Sequence, residues 1–291
     1  MKKIGVYGQY LHDGSLTVIQ SLLEIFKNND CEVSIESDFH DLLKSENTAL
    51  DTKSFTSLDE NYDALISIGG DGTILRAVAF VGRADIPVIG INTGRLGFLA
   101  TVQTEHLQQS IDDLLNGNSK LSKRSLITAG TNLKDGPLQV KNFALNEVSV
   151  SRMNTTSMIQ IETKLNGELL TNYWADGLII STPTGSTGYS LSCGGPVISP
   201  TTDAFVITPI APHNLNARPL VIPDNTEITL KVSGRENEFL TSLDNRIYSF
   251  RNETVITLKK ADFTIDFIEL ENQSFIKTIR HKLLWGEDKR N

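Results

Sequence analysis

Cysteine is nearly absent from this chain: Cys31 and Cys193 are the only two in 291 residues, and they lie far apart in sequence. Two distant thiols make no disulfide framework, so both are expected to be reduced and to serve as small buried apolar groups. Histidine is sparse as well, at positions 12, 40, 106, 213 and 281, and none falls at the spacing of a zinc site. No unbroken apolar stretch is long enough to cross a bilayer. The opening Met1-Lys2-Lys3-Ile4-Gly5-Val6-Tyr7 is basic, but no apolar h-region follows, so it reads as a first strand and the cytoplasm is the expected location. Positive charge is in deficit too. A formal charge of −8 argues against a broad nucleic-acid or anionic-membrane surface, while leaving room for local basic clusters. There is no internal repeat and no low-complexity tract.

The composition is that of a soluble globular protein, with room for about two domains and a sizeable core. Over the first hundred residues strand and helix signals alternate, which favours a parallel sheet flanked by helices. Residues 4–7 and 32–36 are strand candidates, and Leu16, Ile19, Leu22, Leu23 and Phe26 form a helical stripe between them. Residues 45–61 are polar and weakly patterned and read as a loop. After a strand at 87–91, a helix is expected with Thr104 as N-cap, Leu107, Ile111, Leu114 and Leu115 as its stripe and Gly117 past its end. Beyond about Lys120 the pattern changes to period-two alternation and turn pairs. Ile159, Ile161, Thr163 and Leu165 run into Asn166-Gly167, a strong hairpin signal. Runs at 143–150, 204–208, 227–232, 255–259 and 263–268 are strand-like, and Asp244-Asn245 is most simply another hairpin turn. Phe275, Ile276, Ile279, Leu283 and Leu284 then make a terminal helix with its basic residues late.

The first concentration of chemistry is Gly69-Gly70-Asp71-Gly72-Thr73. An apolar, β-prone run at 64–68 precedes it, and Ile74, Leu75, Ala77, Val78 and Val81 follow at helical spacing. The loop therefore joins a strand to a helix N-terminus, where bare glycine backbone and the helix dipole favour phosphate. A carboxylate there would repel phosphate unless it had a job, and the useful job is to hold or deprotonate a hydroxyl that attacks phosphorus. A plain Asp-Gly turn is the alternative. The pattern is neither a P-loop, since no Lys-Ser/Thr follows, nor the spaced glycines of a dinucleotide fingerprint. It resembles the GGDGT signature shared by NAD kinases, diacylglycerol and sphingosine kinases and, more loosely, phosphofructokinases.

The second concentration runs from Ala175-Asp176-Gly177 through Leu178-Ile179-Ile180 into Ser181-Thr182-Pro183-Thr184-Gly185-Ser186-Thr187-Gly188-Tyr189-Ser190-Leu191-Ser192-Cys193-Gly194-Gly195-Pro196. Hydroxyls and glycines at this density can surround a polar ligand with O–H and N–H groups, and Tyr189 offers a face for stacking. A flexible Gly/Ser/Thr linker is the competing reading; the flanking apolar strand, the two prolines and the interleaved Tyr189 and Leu191 weigh against it.

Read together, these blocks resemble the NAD kinase family. Asn146-Glu147 within Ala144-Leu145-Asn146-Glu147-Val148 is similar to the family's third motif, and 207–220 and 277–285 are similar to its later blocks. The resemblance implies an α/β plus all-β architecture: a Rossmann-like α/β domain over 1–100 carrying the GGDGT motif, a β-sandwich-like NAD-binding domain over 101–268, and a C-terminal segment, 269–291, whose helix returns to the first domain. It implies that ATP, with Mg2+ or another divalent cation, donates its γ-phosphoryl group to the adenosine 2′-hydroxyl of NAD in the cleft between the halves. Asp71 would be general base or orienter, with Gly69, Gly70, Gly72 and Thr73 shaping the phosphate-facing turn. Asn146 would read the adenine edge, and Glu147 would hold ribose hydroxyls. Thr184 and Thr187 would bond adenine atoms, Tyr189 would pack against the adenosine, and Phe98, in Gly94-Arg95-Leu96-Gly97-Phe98-Leu99, would pack on adenine. Asp176 and Ser192, with backbone near Gly188, would hold the nicotinamide end. Gly188 departs from the alanine common in the family. Members are usually homodimers or homotetramers. From the residues alone, Asn146 and Glu147 could be solvated strand residues, Phe98 core, and His213 a structural loop residue; Arg76 either meets phosphate or caps a solvated helix face. Two rivals remain: a lipid kinase of the diacylglycerol or sphingosine type, which the hydroxyl-rich loop does not suit, and a non-catalytic nucleotide sensor.

Overall fold

A computed structural model of the chain describes residues 1–11, 14–46, 51–94, 96–134, 136–139, 141–154 and 157–285. Arg95, part of the stretch 45–61 and the end of the returning segment lie outside the described residues. The chain divides into two compact units, Met1–Lys123 with Ile265–Asn291, and Arg124–Thr264.

In the first unit the elements are β1 (Lys3–Gly8), α1 (Ser15–Asn28), β2 (Glu32–Glu36), α2 (Ser37–Ser45), β3 (Lys53–Phe55), β4 (Ala64–Ile68), α3 (Asp71–Val81), β5 (Val88–Asn92), β6 (Val102–Gln103), α4 (Leu107–Leu115) and β7 (Ser119–Arg124). The strands form one sheet in the order β3-β2-β1-β4-β5, with β6 paired to β5 as well, and every pair among them is parallel. Parallel strands covered on both faces need apolar residues at consecutive positions rather than at alternate ones. Accordingly β4 and β5 are buried along their whole length. Ile19, Leu22 and Phe26 of α1 and Leu107, Ile111 and Leu114 of α4 join Ile4, Val6, Ile66 and Ile91 in one core.

Two expectations change here. The stretch at 45–61, expected as loop, contains β3, whose first two residues are exposed; such a short edge strand carries no apolar pattern to read. Thr104 opens a 3₁₀ turn, Thr104–His106, and α4 starts only at Leu107.

The second unit holds β8 (Ile127–Thr131), β9 (Phe143–Ala144), β10 (Glu147–Arg152), β11 (Ile159–Leu165), β12 (Glu168–Ala175), β13 (Gly177–Ser181), α5 (Tyr189–Ser192), β14 (Ala204–Ile210), β15 (Leu220–Pro223), β16 (Ile228–Gly234), β17 (Glu238–Leu243), β18 (Arg246–Arg251) and β19 (Val255–Lys260). Two six-stranded antiparallel sheets result, β15-β14-β13-β10-β17-β18 and β12-β11-β16-β19-β8-β9. Val148, Leu178, Phe205, Ile207 and Phe239 from one sheet and Ile161, Leu230, Val232, Ile256 and Leu258 from the other fill a single core, as a sandwich requires. The turn between β11 and β12 has Asn166 at φ 50° and Gly167 at φ 83°, the left-handed pair that an Asn-Gly hairpin needs.

The chain then re-enters the first unit. β20 (Ile265–Leu270) pairs in parallel with β5 and lies beside β7, and α6 (Phe275–Leu283) follows it. Strand-like character at 263–268 belongs to this return, because an apolar run does not disclose whether its partner is parallel or antiparallel. The division of the chain falls after Lys123 and before Ile265, rather than at the expected 100 and 268.

Phe205 is fully buried in the sandwich core. We expect Phe205→Ala to cost about 3–5 kcal/mol, seen as a lower urea midpoint at unchanged slope.

Candidate functional site

β4 ends at Ile68, and α3 begins at Asp71 with Gly70 as its N-cap and no side-chain cap. Gly69 and Gly70 therefore form the strand-to-helix turn, Gly72 and Thr73 lie in the first turn of α3, and the first-turn N–H groups, uncapped by side chains, are of the kind that bind anions. Asp71 sits in that first turn with its carboxylate held from the side. Oδ2 accepts the Phe98 N–H at 2.7 Å, and Oδ1 accepts the Leu99 and Ala100 N–H groups, each at 3.0 Å. Three consecutive peptides thus fix one carboxylate. Gly97 permits the approach, since a Cβ there would lie 1.8 Å from Asp71 Oδ1. Phe98 is half-buried, and the Lys282 ammonium of α6 stands 5.8 Å from its ring centre.

In the second unit the strand expected over 143–150 is broken into β9 and β10 at Leu145 and Asn146. Thr182 takes up the carbonyl side of the break: its Oγ1 donates to the Leu145 carbonyl at 2.5 Å, and its N–H donates to the Asn146 carbonyl at 2.8 Å. Gly185 closes onto the same place, where a Cβ would fall 2.0 Å from the Asn146 carbonyl oxygen. The Tyr189 N–H lies close enough to the Glu147 carboxyl to lower its pKa. The structure therefore brings Asn146 and Glu147 against the 184–189 segment, and a pair that could have been solvated strand residues is enclosed.

The hydroxyl-rich stretch is ordered and sorts into two kinds of group. Ser186 Oγ donates to the Pro183 carbonyl at 2.7 Å and accepts the Ile198 N–H at 2.9 Å, and Ser190 Oγ meets Thr208 Oγ1 at 2.8 Å. These hydroxyls hold the loop. Thr187 Oγ1 donates to the Thr184 carbonyl at 3.2 Å. By contrast, Thr184 Oγ1, Asn146 Oδ1 and Glu147 Oε2 are buried with no protein hydrogen-bond partner, a costly state that a bound polar ligand would relieve. Tyr189 and Ser192 stand exposed at the start and end of α5. Gly188 faces Glu147, where a Cβ would lie 3.1 Å from Oε2.

Asp176, unlike the buried trio, has a protein partner. Its Oδ2 pairs with Arg152 Nη2 at 2.9 Å, and both line a groove of about 730 Å3 together with Trp174, His213 and Arg235. The sequence reading missed this Arg152 partner, as well as Gly97, Thr182 and Asp244. A single arginine at a strand end and one threonine among many carry no spacing signal.

Burial raises the Glu147 pKa from the ordinary 4.5 to about 8; the nearby Asp244 carboxylate adds to this, and the Tyr189 N–H opposes it. A carboxyl whose folded pKa exceeds its unfolded value holds its proton more tightly when folded, so its contribution to stability is full below 4.5 and lost as pH rises through about 8. We therefore expect the melting temperature of ligand-free Glu147→Gln, relative to wild type, to climb between pH 4.5 and 8; an unchanging difference would show an unperturbed carboxyl. Gly97→Ala should displace the Asp71 carboxylate and lower turnover by roughly 10²-fold, the scale of an ångström-level misplacement, with thermal unfolding as the control for folding.

Two family models match in order: the ATP-NAD kinase N-terminal domain over residues 5–119 and the ATP-NAD kinase C-terminal domain over residues 145–270. An NAD kinase of Christiangramia forsetii is 55% identical over 293 residues, covering 99% of this chain and 100% of that protein. One from Flavobacterium johnsoniae is 53% identical with the same coverage. Among solved structures, yeast NADH kinase complexed with NADH shares the fold at a TM-score of 0.85 and 23% identity, over 99% of this chain and 89% of that one. With both domain models matched in order and relatives more than half identical across 99% of its length, the chain belongs to the NAD kinase family.

Proposed function

We propose that this protein transfers the γ-phosphoryl group of ATP to the 2′-hydroxyl of the adenosine ribose of NAD, giving NADP and ADP. The observation that carries the reading is Asp71, a carboxylate fixed by three peptide N–H groups in the first turn of α3. A carboxylate offers about four lone-pair positions. Phe98, Leu99 and Ala100 occupy three, leaving one on Oδ2 for a hydroxyl donor. A hydroxyl bonded there is oriented toward phosphorus. As its oxygen bonds to the γ-phosphorus and the bond to the β–γ bridging oxygen breaks, its proton passes to Asp71. In a loose phosphoryl-transfer transition state most of the gain comes from positioning and charge stabilisation, with proton removal contributing on the order of 10²–10⁴.

Asn146, Glu147 and Thr184 supply the buried unpartnered atoms suited to the adenosine, with Thr187, Gly188 and Tyr189 beside them. Phe98 offers a ring face to adenine, and Asp176 and Ser192 serve the nicotinamide end. Gly69, Gly70, Gly72 and Thr73 face phosphate. Mg2+ or another divalent cation enters as part of the donor complex. No described helix is long and apolar enough to cross a membrane, and free Cys31 and Cys193 suit a reducing cytoplasm. A homodimer or homotetramer rests on the family resemblance alone. Family membership leaves the lipid-kinase and sensor alternatives without support.

The test is Asp71→Asn, assayed with ATP, Mg2+ and NAD through an NADP-specific dehydrogenase. Turnover should fall by on the order of 10²-fold or more, with NAD affinity by calorimetry within about threefold. Wild-type turnover in that variant would overturn the role given to Asp71.

A further inference from the structure

We propose that Asp244 is a positioning residue for the Asn146–Glu147 pair, setting the affinity for the dinucleotide acceptor without touching it; this rests on the reading that the pair binds that acceptor. Asp244 occupies the turn between β17 and β18 at φ 52°. A two-residue hairpin turn needs backbone freedom and asks nothing of a carboxylate. This carboxylate nonetheless accepts three backbone N–H groups. Oδ2 accepts the Leu145 N–H at 2.9 Å, and Oδ1 accepts those of Asn146 at 2.8 Å and Glu147 at 3.2 Å. In return the Asp244 N–H donates to the Glu147 carbonyl at 3.0 Å.

The grip is two-sided. Asp244 holds the N–H groups of residues 145–147, while Thr182 holds the carbonyls of Leu145 and Asn146. With the backbone groups on both sides of this break engaged, the peptide cannot rotate, and the Asn146 and Glu147 side chains are aimed by their backbone. Arg246, two residues past Asp244, extends the clamp by donating to the Lys141 and Phe143 carbonyls, with its guanidinium 5.5 Å from the Phe143 ring centre. Burial keeps the Asp244 pKa above its ordinary value, against the opposing pull of the three N–H bonds and Arg246. Three peptide N–H groups converging on one carboxyl are a specific binding arrangement for residues 145–147.

Asp244→Asn keeps the shape but has one carbonyl oxygen, so at least one of the three N–H groups must face an NH2. Losing one hydrogen bond to a charged group corresponds to roughly 10- to 100-fold. The expected result is a KM for NAD raised by roughly that factor, with kcat at saturating NAD and KM for ATP within about threefold of wild type. Asn245→Gly, which improves the same turn without touching the clamp, should leave all three constants unchanged. In an Asn146→Ala, Glu147→Ala background, Asp244→Asn should add less than about threefold, because the two side chains it positions are already gone.

A KM for NAD within about twofold of wild type in Asp244→Asn would overturn the proposal. So would equal losses in kcat and in both KM values, the pattern of general structural damage. If Asp244→Asn does not fold, Thr182→Val, which removes the side-chain half of the opposite grip, is judged by the same criteria. NAD affinity measured by calorimetry separates this proposal from the reading it rests on. A wild-type protein that forms no NADP contradicts the function, whereas a wild type that forms NADP beside an Asp244→Asn variant of unaltered NAD affinity contradicts the clamp alone.

Discussion

Each unit of this protein turns on one aspartate that accepts the N–H groups of three consecutive residues. In the first, Asp71 takes those of 98–100; in the second, Asp244 takes those of 145–147. Three converging N–H dipoles stabilise a charge that would otherwise be costly away from water. The exchange works in both directions, since the charge also fixes a backbone segment that lies outside the helices and strands except for Glu147 at the start of β10. The two acids nevertheless have different consequences. By the same count each carboxylate keeps one lone-pair position on Oδ2; Asp244 differs in that its own N–H also donates to the segment it holds.

The second unit also shows how a rigid sandwich sustains polar atoms in a poor state. Asn146 Oδ1, Glu147 Oε2 and Thr184 Oγ1 are buried without protein partners, each at a cost of about 1–3 kcal/mol. Such atoms persist when the surrounding structure over-determines them, and here the surroundings are the double grip on 145–147 and the internally bonded loop at 183–192. The buried carboxyl of Glu147, with a pKa near 8, belongs to the same economy. Polar groups held in place before a ligand arrives need little reorganisation to bind one.

Much of this was legible in the sequence, and the reasons differ by element. The strand and helix around Gly69-Gly70-Asp71-Gly72-Thr73 could be read because an apolar run and a helical stripe flank glycines. The Asn166-Gly167 turn could be read because its left-handed geometry allows few residues. The division of the chain was harder: α4 carries an amphipathic stripe that suits either neighbour, and only packing of Leu107, Ile111 and Leu114 with Ile4 and Ile91 assigns it. Asp244 was read as a turn residue, which it is; its second role depends on contacts about a hundred positions away that no local pattern encodes. The same holds for Arg152 beside Asp176, and for Gly97, whose only signal is the lack of a side chain near an acid. In the 181–192 stretch the sequence identified the cluster but could not separate the hydroxyls that brace the loop from those of Ser181 and Thr184, which are buried without a protein partner.

The account depends most on what Asp71 does with its remaining lone pair. A crystal structure of the wild-type protein with NAD bound measures this directly. It should show the adenosine 2′-hydroxyl oxygen about 2.6–3.2 Å from Asp71 Oδ2, with the Phe98, Leu99 and Ala100 N–H bonds still in place. A 2′-hydroxyl bonded to another group, with Asp71 beyond hydrogen-bond reach of either ribose oxygen, would contradict it.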